Sequence, residues 1–253
     1  MTLKYDSPLG VLARLPLRMI PRDAVVRVIA GPNRGLRWVV GSSTHGCWLG
    51  TYEREKQLVL ERFVSPGMIV VDAGANAGYY TLAFSRWVGP EGRVFALEPF
   101  AENARNLLRH VSLNRLENIT LVQAALSSRP GLGGFEIAQS NSMGSLTASG
   151  KYLVPVMSVD DLVAHHGVPV PDVIKMDVEG GESAALEGAK NVLAARKTVI
   201  ALSLHGPIQK AECLDLLRAA HYRIHRIDGS VVEGNDDPED EIFALPPHQD
   251  FPD

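Results

Sequence analysis

Cysteine is nearly absent from the 253-residue chain, which has only Cys47 and Cys213. Two cysteines cannot build a disulfide framework or a C-x-x-C metal site, so both read as reduced side chains that pack like small hydrophobes. Long apolar runs are missing too, and none approaches the ~18 residues needed to cross a bilayer. The opening MTLKYDSPLGVLARLPLRMIPRD has Asp6, Pro8 and Pro16 where a secretory leader needs an unbroken apolar segment. The expectation is a cytoplasmic protein with no membrane span. Aromatics are scarce at 6% and the formal net charge is −4. Both weigh against a general nucleic-acid binder.

Apolar residues at 45% and charged residues at 21% fit a globular chain long enough to bury a core. Charge is uneven along it. Residues 1–35 hold Lys4, Arg14, Arg18, Arg22, Arg27 and Arg34 against Asp6 and Asp23, whereas residues 233–253 contain acids and no Lys or Arg. The lead-in is proline-rich. AVVRVIA (24–30) and LRWVV (36–40) predict two short strands, and TYEREKQLVLERFV (51–64) an amphipathic helix. We divide the chain into an N-terminal extension, residues 1–64, and a main domain, residues 65–253.

From Met68 strands and helices alternate. Strands are expected at 68–72, 93–98, 119–126, 172–177, 198–204, 222–227 and 241–246, and helices at 77–87, 101–114, 158–166, 181–195 and 209–220. This alternation implies right-handed crossovers and a mostly parallel sheet covered on both faces. The last two strands have no helix between them, so they form a hairpin that places one antiparallel strand in the sheet. Residues 127–157 read as a detour.

Such sheets bind ligands beyond the carboxyl ends of their strands, beside the first strand. There lies VVDAGANAGYYT (70–81), an apolar strand running through Asp72 into glycines and a helix. In the dinucleotide fingerprint the second glycine lets the backbone approach a pyrophosphate. Here that place is Asn76, two after Gly74, and its side chain would crowd a pyrophosphate. The loop therefore favours an adenosine without phosphates, such as S-adenosylmethionine, over NAD or FAD. Glu98 ends the second strand 24 residues after Gly74, where an acid accepts hydrogen bonds from ribose hydroxyls. Phe100 offers an apolar wall for the adenine.

The segments DAGANAGYYT, ALEPF and IKMDVEGGE together resemble the FkbM-type S-adenosylmethionine-dependent methyltransferases, over roughly residues 45–225. The resemblance implies the Rossmann-like class I methyltransferase fold, α/β with seven strands ordered 3-2-1-4-5-7-6 and strand 7 antiparallel. It implies that Asp72, Gly74, Asn76 and Gly78 line the methionine and ribose side, that Glu98 holds the ribose, and that the 123–125 turn borders the adenine. Many class I enzymes carry an acid after strand 3 to meet the adenine amine. This chain has QAAL, so Gln123 or main-chain groups near Ala124 would serve. Tyr52 and Glu53 resemble the family's helix before the glycine loop, which implies that they either touch the cofactor carboxylate or cover it.

IKMDVEGGE also puts Asp177, Glu179 and Glu182 at the carboxyl end of the fourth strand, and SLHG puts His205 after the fifth. If the acceptor is an aliphatic hydroxyl, a base must take its proton as attack proceeds. Asp177, Glu179 and His205 are the candidates, with Asp177 also suited to holding the cofactor ammonium. The acids have a second possible use, as Asp177, Glu179 and Glu182 ligating a divalent ion that acidifies the hydroxyl. Lys175, inside the strand pattern, reads as a snorkelling or paired residue and not as a catalyst. Trp48 is either an acceptor-stacking or a core residue, and SNSMGSL (140–146) either an acceptor loop or a connection. The first functional reading is O-methylation of a small-molecule hydroxyl, on a sugar or a natural-product intermediate. The alternatives are RNA methylation and cofactor binding without transfer.

Overall fold

The computed structural model describes residues 17, 19–137, 144–234 and 236–252. Lys4, Arg14 and Arg18 of the basic lead-in, and residues 140–143 of SNSMGSL, lie outside this range. Two short antiparallel strands, β1 (Val25–Arg27) and β2 (Arg37–Val39), are followed by helices α1 (His45–Leu49) and α2 (Arg54–Phe63). Then come β3 (Ile69–Ala73), α3 (Tyr79–Val88), β4 (Arg93–Leu97), α4 (Ala101–Asn114) and β5 (Ile119–Val122). After the segments β6 (Ala125–Leu126), β7 (Gly131–Ile137), β8 (Gly144–Leu146) and β9 (Tyr152–Met157) the chain enters α5 (Val159–His165) and β10 (Val173–Met176). It ends through α6 (Glu182–Glu187), α7 (Lys190–Ala195), β11 (Val199–Ser203), α8 (Pro207–Ala219), β12 (Arg223–Arg226) and β13 (Glu241–Leu245).

The main sheet runs β5-β4-β3-β10-β11-β13-β12, parallel except for β13, which is antiparallel to both neighbours. This is the 3-2-1-4-5-7-6 order, and the terminal hairpin supplies the reversed strand as expected. The alternating pattern of the strands explains why both faces are covered. Val71, Ala73, Ile174, Met176, Ile200 and Leu202 pack on one face against α5 to α8. Val70, Val94, Val173, Val199, Ala201 and Phe243 pack on the other against α2 and α3. The segment before residue 65 shares this second core through the buried Trp38, Cys47 and Trp48. Among the described residues no helix is long and apolar enough to cross a membrane.

Three expectations need correction. The strand foreseen over 119–126 is two: β5 stays in the main sheet, while β6 turns into a second, four-stranded sheet ordered β6-β9-β7-β8. The detour 127–157 therefore holds a sheet. Its clearest signal was the alternation of buried Val154 and Val156 around the outward Pro155. Proline argues against a central strand, yet β6 pairs only with Val156 and Met157, so that side of β9 is free at Pro155. Thirdly, the helix expected over 181–195 breaks in two at Gly188. A β-carbon there would sit 2.2 Å from the Ser127 carbonyl oxygen, so the chain must pass too close for any other residue.

The same logic is stronger at Gly74, where β3 ends. Its φ is +75°, and a β-carbon would lie 1.8 Å from the Asp177 carbonyl oxygen. Gly67 has φ +86° but open space around it. Gly67→Ala is expected to cost ~1–2 kcal/mol for the left-handed backbone alone. Gly74→Ala should cost ~4 kcal/mol or abolish folding, because neither backbone can yield. Urea denaturation of both variants checks this, and equal losses would show that the β3–β10 approach relaxes.

Candidate active site

The loop after β3 is held by its own main chain and one buried acid. The Gly74 and Ala75 N–H groups both donate to the Leu97 carbonyl, at 3.1 and 3.0 Å. Asn76 adopts φ +50°, which asparagine tolerates because its short side chain bonds locally. Here its Oδ1 accepts the Ala77 N–H at 2.7 Å. The Asn76 N–H donates to Glu98 Oε2 at 2.8 Å, while Glu98 Oε1 accepts from Phe100 N at 2.9 Å. Burial pushes the Glu98 carboxyl up to about 6 against the opposing effect of those two N–H donors. Glu98 thus ties the ends of β3 and β4 together.

Loop and acid open onto a cavity of about 240 Å³ at the carboxyl ends of β3, β4 and β10. Of the foreseen cofactor residues, Gly74, Asn76, Glu98, Phe100, Ala124 and Tyr52 are on its wall. So are Asp177, Glu179 and Lys175. The others are not on it. Asp72 is fully buried beneath the loop, where its Oδ2 accepts the Thr81 hydroxyl at 2.6 Å. Gly78 packs against Leu107, Gln123 is exposed, and Glu53 accepts the Tyr80 hydroxyl at 2.8 Å. Trp48 is a core residue, with its indole N–H bonded to His45 Nδ1 at 3.1 Å.

Beneath the cavity floor lie buried charges in register. Lys175 and Asp72 are paired positions of β10 and β3, so their side chains share one face, 3.4 Å apart. Lys175 Nζ also donates to the Gly74 carbonyl at 3.1 Å and lies 3.8 Å from Asp177 Oδ2. Burial opposes the ammonium charge, but Asp72 and Asp177 hold the Lys175 pKa above its ordinary value. Burial likewise pulls Asp177 up, yet Lys175, Lys56 and His205 together keep it below the usual carboxylate range. Lys56 itself is buried on α2, bonded to Ser203 Oγ at 2.6 Å and Glu241 Oε1 at 2.9 Å.

The three foreseen base candidates do converge. His205 Nε2 stands 3.5 Å from Glu179 Oε2 and 3.7 Å from Asp177 Oδ1. Glu182 is placed differently from its two companions in the sequence. It is fully buried, and its Oε1 accepts the Gly180 N–H at 3.0 Å and faces His205 Nδ1 at 2.8 Å. The donor set open to a divalent ion is therefore Asp177, Glu179 and His205, with atoms within 4.8 Å of one another, and excludes Glu182. Glu179 sits at φ +56°, a conformation that a non-glycine residue adopts only when its surroundings hold it there. Its carboxyl is raised, chiefly by burial and then by Asp177 and Glu182, with His205 opposing. The Glu182 hydrogen bond, acting against burial, lifts His205 to about 9.

Gly144 and Leu146 bring part of SNSMGSL, read as either an acceptor loop or a connection, to the wall. Phe135 and Ile137 of the second sheet, and Trp38, Ser43 and Thr44 of the N-terminal segment, reach it without having been foreseen. No local motif marks these five, because they arrive from elements that only packing brings to the loop.

The profile of the methyltransferase FkbM domain matches residues 72–224. The chain belongs to the FkbM methyltransferase family. The glycine loop from Gly74, Glu98 and Asp177 all lie inside the matched region. The chain is 29% identical over 154 residues to the hexuronic acid methyltransferase AglP of Haloferax volcanii, a match covering 60% of this chain and 62% of that protein, less than two thirds of its length. A protein-L-isoaspartate O-methyltransferase of Triticum aestivum is 41% identical over 44 residues, 17% of this chain and 19% of that one. Among solved structures, the FkbM methyltransferase of Methylobacillus flagellatus KT is similar at 22% identity and TM-score 0.48, covering 70% of this chain and 43% of that one. An S-adenosylmethionine-dependent O-methyltransferase of Thermotoga maritima covers 88% of this chain and 77% of its own, at 16% identity and TM-score 0.48. The strand order itself carries the fold assignment.

Because the His205 pKa is raised from 6.5 to about 9, its stabilising contribution is complete below about pH 6.5 and fades as pH rises through about 9. Its ring-proton NMR titration is expected to have a midpoint near 9, and Glu182→Gln to move that midpoint toward 6.5. A native midpoint near 6.5 would show the imidazole neutral at pH 7.

Proposed function

We propose that this methyltransferase transfers its methyl group to a hydroxyl of a small molecule, a sugar or a natural-product intermediate. The observation that carries this reading is the sorting of three convergent groups into different protonation roles, two of them, Asp177 and Glu179, on the cavity wall and the third, His205, beside them. Asp177 is held ionised by the lysines around it, and His205 is an imidazolium below about pH 9. Of the three, Glu179 is the one that combines a raised carboxyl with a place on the wall. A hydroxyl acceptor must lose its proton as it attacks, and a base of raised pKa beside an imidazolium suits that step. The relative named for a hexuronic acid supports a sugar-type acceptor.

The residues present fit the cofactor. The cavity has an apolar end at Phe100, Phe135 and Leu146 for a purine, Glu98 for ribose hydroxyls, and Asp177 at the opposite end for an ammonium. Bound S-adenosylmethionine supplies a methyl already activated by its sulfonium. The chain's contribution is therefore alignment, which is worth several kcal/mol, together with proton removal. Glu179 receives the acceptor proton on its carboxylate, and His205 steadies that carboxylate from 3.5 Å. Glu182 fixes the imidazole from the other side.

Calorimetry should give tight binding of S-adenosylmethionine and none of NAD, since Asn76 occupies the place a pyrophosphate needs. Glu98→Ala should weaken cofactor binding by ~1–3 kcal/mol, as the ribose hydroxyls lose a charged acceptor. Unchanged affinity in a folded variant would remove Glu98 from the ribose.

In single-turnover assays over a panel of sugar and natural-product hydroxyls, Glu179→Gln is expected to slow transfer ~10²–10⁴-fold at unchanged cofactor affinity. Asp177→Asn should lose both affinity and rate. A near-native rate for Glu179→Gln would place the base elsewhere, and a chelator-sensitive native rate would assign these groups to a metal instead.

A further inference from the structure

Away from the cavity, arginines collect on one face of the molecule without acids to balance them. Residues 19–50 contain Arg22, Arg27, Arg34 and Arg37 and a single acid, Asp23. Arg27 and Arg37 are paired positions of β1 and β2, and both are exposed, so they stand side by side on the outer face of the hairpin. Helix α4 adds Arg105 and Arg109 on its exposed side, and its one acid, Glu102, is in the first turn. The two elements are joined. The Asn114 side chain bonds the Arg37 N–H and carbonyl at 2.7 and 2.9 Å, and Arg109 Nη2 donates to the Asp23 carbonyl at 3.4 Å.

Among the described residues none of these six arginines is ion-paired. The arginines that are, Arg223 and Arg226, lie on β12, at the edge of the main sheet opposite β5. Arg27 Nη1 donates to the Gly35 carbonyl at 2.9 Å, a neutral partner that fixes the side chain and leaves its charge uncompensated. On a chain of formal net charge −4 this face is a local reversal of sign.

Large apolar side chains interrupt the basic face. Val25 and Ile29 flank Arg27 in the alternation of the strand and are 43% and 59% exposed, Leu108 beside Arg109 is 53% exposed, and Met19 is 84% exposed. Single exposed apolar residues need no explanation, but interleaving with uncompensated arginines is a specific combination. It fits the surface of a bilayer, where apolar side chains enter the boundary between headgroups and acyl chains while arginines meet anionic lipid. A single-stranded nucleic acid is held by exposed aromatic rings that stack on its bases, and the exposed apolar residues here are aliphatic or methionine.

We propose that this face, formed by the β1–β2 hairpin and the outer side of α4, docks the protein on an anionic membrane surface. The same N-terminal segment carries Ser43 and Thr44 to the cavity wall, so docking also orients the cavity relative to the lipid. The docking does not depend on which acceptor is methylated.

Co-sedimentation of the full chain with phosphatidylcholine vesicles, with and without phosphatidylglycerol, tests the surface. Binding is expected where phosphatidylglycerol is present and should weaken as salt rises, because exposed charges are screened. Arg37 and Arg105 make no side-chain hydrogen bond, so Arg37→Gln with Arg105→Gln leaves the contacts of the fold in place. Each charge removed should weaken vesicle binding about fivefold, and the pair about 25-fold. Arg22→Gln with Arg34→Gln is an independent pair expected to lose as much at native Tm, which separates lost docking from a folding defect. Ile29→Ser with Leu108→Ser should weaken vesicle binding about tenfold and leave binding to heparin, a polyanion without an apolar layer, unchanged. Equal binding to both kinds of vesicle, or native binding by both arginine pairs, would overturn the docking face. Binding of heparin or a short RNA without binding of phosphatidylglycerol vesicles, or native vesicle binding by the Ile29 and Leu108 variant, would assign the face to a polyanion in solution and overturn the membrane.

Discussion

The site depends on one buried contact, the Lys175 ammonium against the Asp72 carboxylate in the middle of the sheet. Removing two charges from water costs several kcal/mol per ion, which only close pairing and further hydrogen bonds offset. The β3–β10 register supplies the pairing, and the Gly74 carbonyl and Asp177 complete the ammonium's surroundings. Because each partner would be stranded without the other, the contact fixes how β3 and β10 lie at their carboxyl ends. That placement in turn presses Gly74 against the Asp177 carbonyl and sets the start of the ligand loop. The Tyr80 ring, 5.4 Å from the Lys175 ammonium, covers it from the α3 side.

Two additions to the seven-stranded core then shape the cavity. The second sheet brings Phe135 and Leu146 to one end. The N-terminal segment adds Trp38, Ser43, Thr44, Cys47 and Tyr52 to the wall, and the buried Lys56 ties α2 to Ser203 at the end of β11 and Glu241 at the start of β13. An ammonium placed there anchors the segment and also adds positive potential beside Asp177. Packing and electrostatics are thus coupled: the residue that docks the segment also keeps a wall carboxylate charged.

The cluster beyond β10 and β11 shows how environment separates similar groups. Asp177 and Glu179 are two residues apart in sequence, yet one carboxyl is lowered and the other raised. Lys175, Lys56 and His205 act on Asp177, whereas burial and the neighbouring acids dominate at Glu179, which sits on a left-handed turn at the cavity wall. Glu182, one helical turn further on, leaves the wall altogether and serves the interior face of His205. The four groups form a chain of contacts in which each neighbour alters the next.

The strand–helix alternation, the reversed last strand, the glycine loop and its partner acid were legible in the sequence. Period-2 and helical patterns, and the spacing from Gly74 to Glu98, are local properties of a chain that must bury both faces of a sheet. Asn76 as a loop residue was legible for the same reason, since asparagine tolerates the left-handed backbone a tight loop needs. Tertiary structure alone decided the rest. The exchange of Glu182 for His205 beside Asp177 and Glu179 depends on a turn at residues 179–180 that carries one acid inward and leaves another out. Trp38 and Phe135 bring segments far apart in the chain to one cavity wall. Such groups meet only through strand register and helix packing, which set distances that no single stretch of sequence contains.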